Sequence, residues 1–261
     1  MKITWHGTAT LTVEGEYGKI LFDPFLRRNK KMQAIDPAAL SDVDAAFITH
    51  PHFDHFCDLP VFFEAGLPVA YVCEQGIENA KKGKFSNECI EKLREVKAGQ
   101  TFEIGDLTIK TYLAKHSKID AKTVLRSMFI RPQNFFMVTP ALRIIKAHSK
   151  YPIDGTTIAF EVSDGVKTVM IFGSAGMQEN VDYPKNADLL VFPYQGCSHL
   201  EKLAARFVDR LQPDRVMFDH HEDAFPPISF PQSREKVLKE LQLRHPKTEA
   251  FFPEENREYV L

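Results

Sequence analysis

His50, Pro51, His52, Phe53, Asp54 and His55 bring three imidazoles and one carboxylate into six consecutive positions. A borderline cation such as zinc takes imidazole nitrogen and carboxylate oxygen at about 2.0–2.2 Å. The apolar run at 45–49 reads as a buried strand, and a loop at the end of a strand converges side chains on one point. In extended backbone His50, His52 and Asp54 share one parity and face the same way, and Pro51 stiffens the turn between the first two histidines. The chemistry open to such a set is hydrolysis. A divalent ion lowers the pKa of a water from about 15.7 towards about 7 and stabilises charge on the oxygen under attack. Asp54 is the candidate to orient that water or take up its proton.

The elements that must position this cluster are short. Strands are predicted at 8–14, 19–22, 45–49 and 68–73, where apolar residues alternate or run together. A helix is predicted over 87–96, with Ile90 and Leu93 on one face, then strand over 101–114 broken by a turn at Gly105-Asp106. Residues 156–172 form the clearest hairpin. Ile158, Phe160 and Val162 alternate on one arm, Val169 and Ile171 on the other, and Asp164-Gly165 makes the turn. Strands at 189–192 and 215–218 flank a helix over 200–211, whose Leu200, Leu203, Ala204, Phe207, Val208 and Leu211 share one helical face. Ser198 with Glu201 fits a capping box at its start, and a second helix is predicted over 233–243. Many strands with few helices imply two packed sheets covered by helices. Residues 1–261 read as one domain. The stretch 117–155 stands apart, with Met128, Phe129, Phe135, Phe136 and Met137 lacking periodicity. It is ordinary core, an inserted lid, or a contact between copies in a homo-oligomer.

Composition narrows the function classes. The chain is 44% hydrophobic and 26% charged with a formal net charge of -2, so no basic field draws in nucleic acid. Its four cysteines fit neither a zinc ribbon nor a disulfide scaffold and read as reduced thiols. The N-terminus opens into strand-like sequence without a leader pattern. No apolar run approaches the ~18 residues needed to cross a bilayer. A cytoplasmic protein acting on a small-molecule substrate, with no membrane partner, is expected.

T-H-P-H-F-D-H at 49–55 resembles the H-x-H-x-D-H signature of the metallo-β-lactamase superfamily. Trp5-His6-Gly7-Thr8-Ala9 and Asp23-Pro24 resemble the branch that contains L-ascorbate-6-phosphate lactonase and other small cytoplasmic hydrolases. The resemblance implies an α/β (α+β) fold, a four-layer αββα sandwich, with one or two zinc ions or, less often, manganese or iron. It implies hydrolysis of an ester, lactone, amide, thioester or phosphodiester. Carried over by position, His50 and His52 bind a first ion, and Asp54 and His55 a second. The third ligand of the first ion follows a later strand, where His116 is preferred to His148. The last ligand follows the final strand. His221 is preferred there, because His221, Asp223 and Phe225 match an H-x-D-x-F pattern, leaving His220 as a supporting or substrate contact. Asp23 is expected to accept the second N–H of a ligand histidine.

The pattern breaks at Gly173-Ser174, where the family places a bridging aspartate. A neutral hydroxyl does not offset the repulsion of two dications about 3.5–4 Å apart. One ion, two ions bridged otherwise, and binding without catalysis therefore all stand open. His199, between a strand and a helix, is a candidate contact for an anionic substrate or leaving group. Cys57 and Cys197 read as packing residues.

Overall fold

The structure is a computed structural model. It describes residues 1–26, 29, 34–83, 85–117, 146, 149–224, 229 and 232–261. His148, Phe225 and most of 117–155 lie outside the described residues.

Among the described residues, fourteen strands make two seven-stranded sheets. The first holds β1 (Lys2–Gly7), β2 (Thr10–Glu14), β3 (Lys19–Phe22), β4 (Ala45–Phe47), β5 (Ala70–Val72), β6 (Leu93–Glu95) and β14 (Glu258–Val260). Its order is β14-β1-β2-β3-β4-β5-β6. The second holds β7 (Thr101–Ile104), β8 (Leu107–Lys115), β9 (Thr156–Ser163), β10 (Thr168–Ile171), β11 (Leu189–Pro193), β12 (Arg215–Asp219) and β13 (Glu249–Phe251), in the order β13-β12-β11-β10-β9-β8-β7. Both sheets share one plan. An antiparallel meander, β1–β3 or β7–β10, continues into a parallel run, β3–β6 or β10–β13.

Parallel neighbours need crossovers, and these supply the helices. The short α1 (Phe53–Phe56) and α2 (Leu59–Glu64), then α3 (Glu74–Lys82) and α4 (Asn87–Glu91), cover the first sheet. The longer α5 (Leu200–Leu211) and α6 (Arg234–Arg244) cover the second. Three apolar layers result. Ile3, Leu11, Phe22, Phe47, Phe160, Val162 and Val191 fill the space between the sheets. Phe53, Phe56, Leu59, Phe62 and Ala80 pack beneath the first sheet. Phe192, Leu200, Ala204, Phe207, Val208, Leu211 and Leu241 pack beneath the second. This is the αββα sandwich. No helix among the described residues is long and apolar enough to cross a membrane, and all four cysteines are outside any disulfide.

Two local expectations are corrected. The helix over 87–96 stops at Glu91, and Leu93–Glu95 is instead the edge strand β6, paired parallel to β5. Ile90 and Leu93 fit either period over so short a run, and pairing with β5 decides between them. The N-cap of α5 is His199, not Ser198. The helix begins one residue later than a capping box at Ser198 and Glu201 requires.

Residues that could do chemistry follow the carboxyl ends of β3, β4, β8, β10 and β12. In open α/β sheets that edge is where ligands bind.

Candidate metal centre

Six side chains gather there in two groups of three. In each group the ligand atoms lie within 4.8 Å of one another: His50, His52 and His116 in one, Asp54, His55 and His220 in the other. Both groups take residues from each sheet. The segment after β4 supplies His50, His52, Asp54 and His55, while β8 delivers His116 and β12 delivers His220.

The H-P-H-F-D-H segment is not extended throughout. His52 is the N-cap of the single-turn helix α1, which carries Asp54 and His55. The shared parity of His50, His52 and Asp54 therefore fails. The turn instead separates the two histidines from the Asp54–His55 pair, and this division matches the one implied by the superfamily resemblance. His50 Nε2 and His52 Nδ1 stand 3.1 Å apart. The edge of a tetrahedron built on metal–nitrogen bonds of about 2.0–2.1 Å is about 3.3 Å, so both lone pairs suit one ion.

Asp23 sets the tautomers that make those lone pairs available. Its Oδ1 accepts the Thr49 N–H at 2.8 Å. Its Oδ2 accepts the Thr49 hydroxyl at 2.7 Å and His55 Nδ1–H at 2.8 Å. The Thr49 oxygen, with its proton committed to Asp23, accepts from His50 Nδ1–H at 3.0 Å. One buried carboxylate therefore protonates Nδ1 and frees Nε2 on a histidine of each group, directly for His55 and through Thr49 for His50. Asp23 adopts φ +45° to do so, as His220 adopts φ +52° and Thr8 φ +50°. Left-handed non-glycine backbone of this kind is a strain that gathers at functional sites.

Gly173, after β10, leaves room for Thr49. A Cβ at position 173 would lie 1.9 Å from Thr49 Oγ1 and 2.4 Å from its Cβ. Gly173→Ala is expected to lower stability by about 1–3 kcal/mol through overpacking and to weaken the ion held by His50. Denaturant unfolding and ion titration check both effects, and unchanged values in both would show that the Thr49 relay is not needed.

Asp54 presents Oδ2 to His220 Nε2 at 3.2 Å and to His55 Nε2 at 3.7 Å. Its buried Oδ1 has no hydrogen-bond partner among the described residues. Burial pushes the Asp54 carboxyl up, but His55 and His220 outweigh it and hold it below the usual carboxylate range. Burial lowers His220, but its bond to Asp54 and the surrounding charges raise it to about 9. Burial and then the neighbouring imidazoles hold His50 well below an ordinary histidine. Converging imidazole nitrogens and a carboxylate oxygen without a donor are a donor set for divalent cations.

His220, not His221, completes the second group. The left-handed turn at His220 brings its ring to Asp54, and His221 falls outside the cluster. The His221 ring lies between Trp5 and Phe252, with centroids 4.8 and 5.1 Å away, and Arg234 is 3.3 Å from its Nδ1. Burial and then Arg234 push it down to about 3. Asp223, read with His221 as part of a motif, accepts the Ser229 hydroxyl instead.

Ser174 is buried beside the site. Its Oγ accepts the Ser117 N–H at 2.9 Å and lies 3.1 Å from Ser117 Oγ, which fixes the backbone next to His116. His199 is exposed at the start of α5, outside both groups. Thr49, Thr8, Asp219 and Glu222 were missed from sequence. Burial raises Asp219 to about 8, and its Oδ1 has no hydrogen-bond partner among the described residues. The run Asp219-His220-His221-Glu222 signalled an acidic flank, but nothing in it showed which groups turn inward.

Residues 19–221 match the model of the β-lactamase superfamily domain. The chain belongs to that superfamily. A UPF0173 metal-dependent hydrolase of Salinibacter ruber is 32% identical over 117 residues, 45% of this chain and 49% of that protein. The chain spans about half the length of the curated relatives it matches. Among solved structures, Igni18, a metallo hydrolase from Ignicoccus hospitalis, superposes with a TM-score of 0.67 at 16% identity, covering 100% of this chain and 98% of that one. The metallo-β-lactamase fold protein YhfI from Bacillus subtilis superposes with a TM-score of 0.64 at 16% identity, covering 99% and 98%. At such identity these two structures have the fold alone in common with the chain.

Proposed function

We propose that the protein is a metal-dependent hydrolase. His50, His52 and His116 hold one divalent ion, and Asp54, His55 and His220 hold a second. The observation that carries this reading is the convergence of two three-ligand groups at one sheet edge. The superfamily membership and the names of the relatives support it. An all-imidazole group suits zinc, and a group with a carboxylate accepts zinc, manganese or iron. Bound there, a divalent ion supplies Lewis acidity and a nucleophilic water at neutral pH.

The chain's own residues do the rest. Asp23 and Thr49 hold a proton on Nδ1 of His55 and His50, which turns each Nε2 towards an ion. Asp54 keeps one oxygen on His55 and His220, and its other oxygen is free to orient a water or take up its proton. The substrate is a small molecule with an ester, lactone, amide or phosphodiester bond. Ser174 favours a second reading, a protein that binds ions or ligand without hydrolysis, because its hydroxyl is engaged with Ser117 and brings no charge between the two groups.

Elemental analysis of protein purified without added metal, with hydrolysis assays on a panel of such bonds before and after chelation, separates the readings. Two ions per chain, and hydrolysis lost on chelation and restored by metal, are expected. Ion content without hydrolysis of any panel member supports the binding protein. A protein that retains no ion sinks both readings.

A further inference from the structure

Ser174 brings no negative charge to the site, whereas four buried acids sit on the segments that carry or support the two ligand groups. Asp23, Asp54, Asp219 and Glu222 are all buried, whereas no lysine or arginine is buried among the described residues. Asp23 is committed to Thr49 and His55. Glu222 is different. It is 8% exposed, and its two oxygens have unequal surroundings. Oε1 accepts both the N–H of Thr8 and its hydroxyl, the latter at 3.0 Å. Oε2 is buried with no hydrogen-bond partner among the described residues. A buried carboxylate oxygen without a donor is destabilising unless a cation or a water meets it.

Thr8 ties that carboxylate to the site. Its carbonyl accepts the His220 N–H at 2.8 Å and the Trp5 Nε1–H at 2.9 Å. One residue therefore grips the His220 backbone with its carbonyl and Glu222 with its N–H and O–H. For a β-branched residue φ +50° is an outlier, so the surrounding bonds hold Thr8 in this clamp against its own preference. Glu222 also acts on His220 electrostatically: burial lowers that imidazole, and Asp54 and then Glu222 raise it.

We propose that Glu222, clamped by Thr8, serves the second ion position through a water held by its Oε2, and supplies the carboxylate charge that Ser174 does not bring. The inference rests on the two-ion reading above.

The test is titration of chelator-stripped protein with Zn2+, alongside thermal melting of the stripped protein. The parent should take up two ions. Glu222→Gln, which keeps the shape and removes the charge, should bind the first ion as the parent does and the second at least tenfold more weakly, with the stripped melting temperature little changed. Adding Ser174→Asp to Glu222→Gln should restore the second ion. Unchanged binding of both ions by Glu222→Gln overturns the proposal. So does parallel weakening of both ions with a fallen melting temperature, or failure to fold with or without Zn2+, since these mark a purely structural clamp. A parent that binds a single ion overturns this proposal and leaves hydrolysis at one ion standing, whereas a parent that binds none removes the proposed function itself.

Discussion

Asp23→Asn is expected to weaken both ions at once, by about 10–100-fold each, the usual cost of losing a group that orients a ligand histidine. The effect is double because one carboxylate serves both groups, through His55 directly and through Thr49 to His50. An asparagine amide that keeps its oxygen towards the Thr49 N–H turns its NH2 towards Thr49 Oγ1 and His55 Nδ1. His55 must then accept at Nδ1 and carry its proton on Nε2, where an ion needs a lone pair. Flipping the amide restores His55 and sets NH2 against the Thr49 N–H. Neither orientation satisfies all three donors. Titration with Zn2+ and with Mn2+ checks the result. A variant that keeps parental affinity at either position breaks the corresponding half of the relay, and a loss confined to His55 would mean that Thr49 does not transmit.

The second large effect is on pH. His220 sits at about 9 in the ion-free protein, so at neutral pH it holds a proton on the ring that must accept an ion. Binding there expels this proton, and affinity rises with pH by about tenfold per unit until the imidazole is already neutral in the free protein. The rise ends near 9, because above that value no proton is left to displace. His55 is raised too: burial lowers it, but Asp23 and Asp54 outweigh that, and it steepens the dependence in the same direction. The first ion should respond less through His50, which is held well below 6.5 by burial and has no proton to lose near neutrality. Competition with a chelator of known affinity, at steps of one pH unit from neutral to alkaline, measures both slopes. A flat profile for the second ion would show that His220 is not its ligand.

The strands and helices that build the site were legible where packing imposes a period over many residues. The helix over 200–211 appears with those limits because six apolar positions on one face must meet the sheet. The hairpin at 156–172 was fixed by alternation and the Asp164-Gly165 turn. The edge strands Glu249–Phe251 and Glu258–Val260 are three residues each and only partly buried, so no periodic signal accumulates. Within the site, His50, His52, Asp54 and His55 were legible because they are local, and His116 because it ends a strand. The choice between His220 and His221 was not. It turns on one left-handed residue whose φ follows from tertiary bonds to Thr8 and Asp54, more than 160 positions away. Thr8 and Glu222 escaped for the same reason: their partnership spans 214 positions and matches no short spacing.

Each three-residue group takes side chains from both halves of the sandwich. Where the edge closes, the Ile158 N–H reaches the Thr49 carbonyl and the His220 N–H reaches that of Thr8. On the two-ion reading, coordination across this seam would add each cation to those hydrogen bonds as a rivet between two sheets whose shared core is non-directional apolar contact. On that reading, ion occupancy and the docking of the halves would be one equilibrium, so loss of the ions would also loosen the edge where the two sheets meet, the region where a protease would first find purchase.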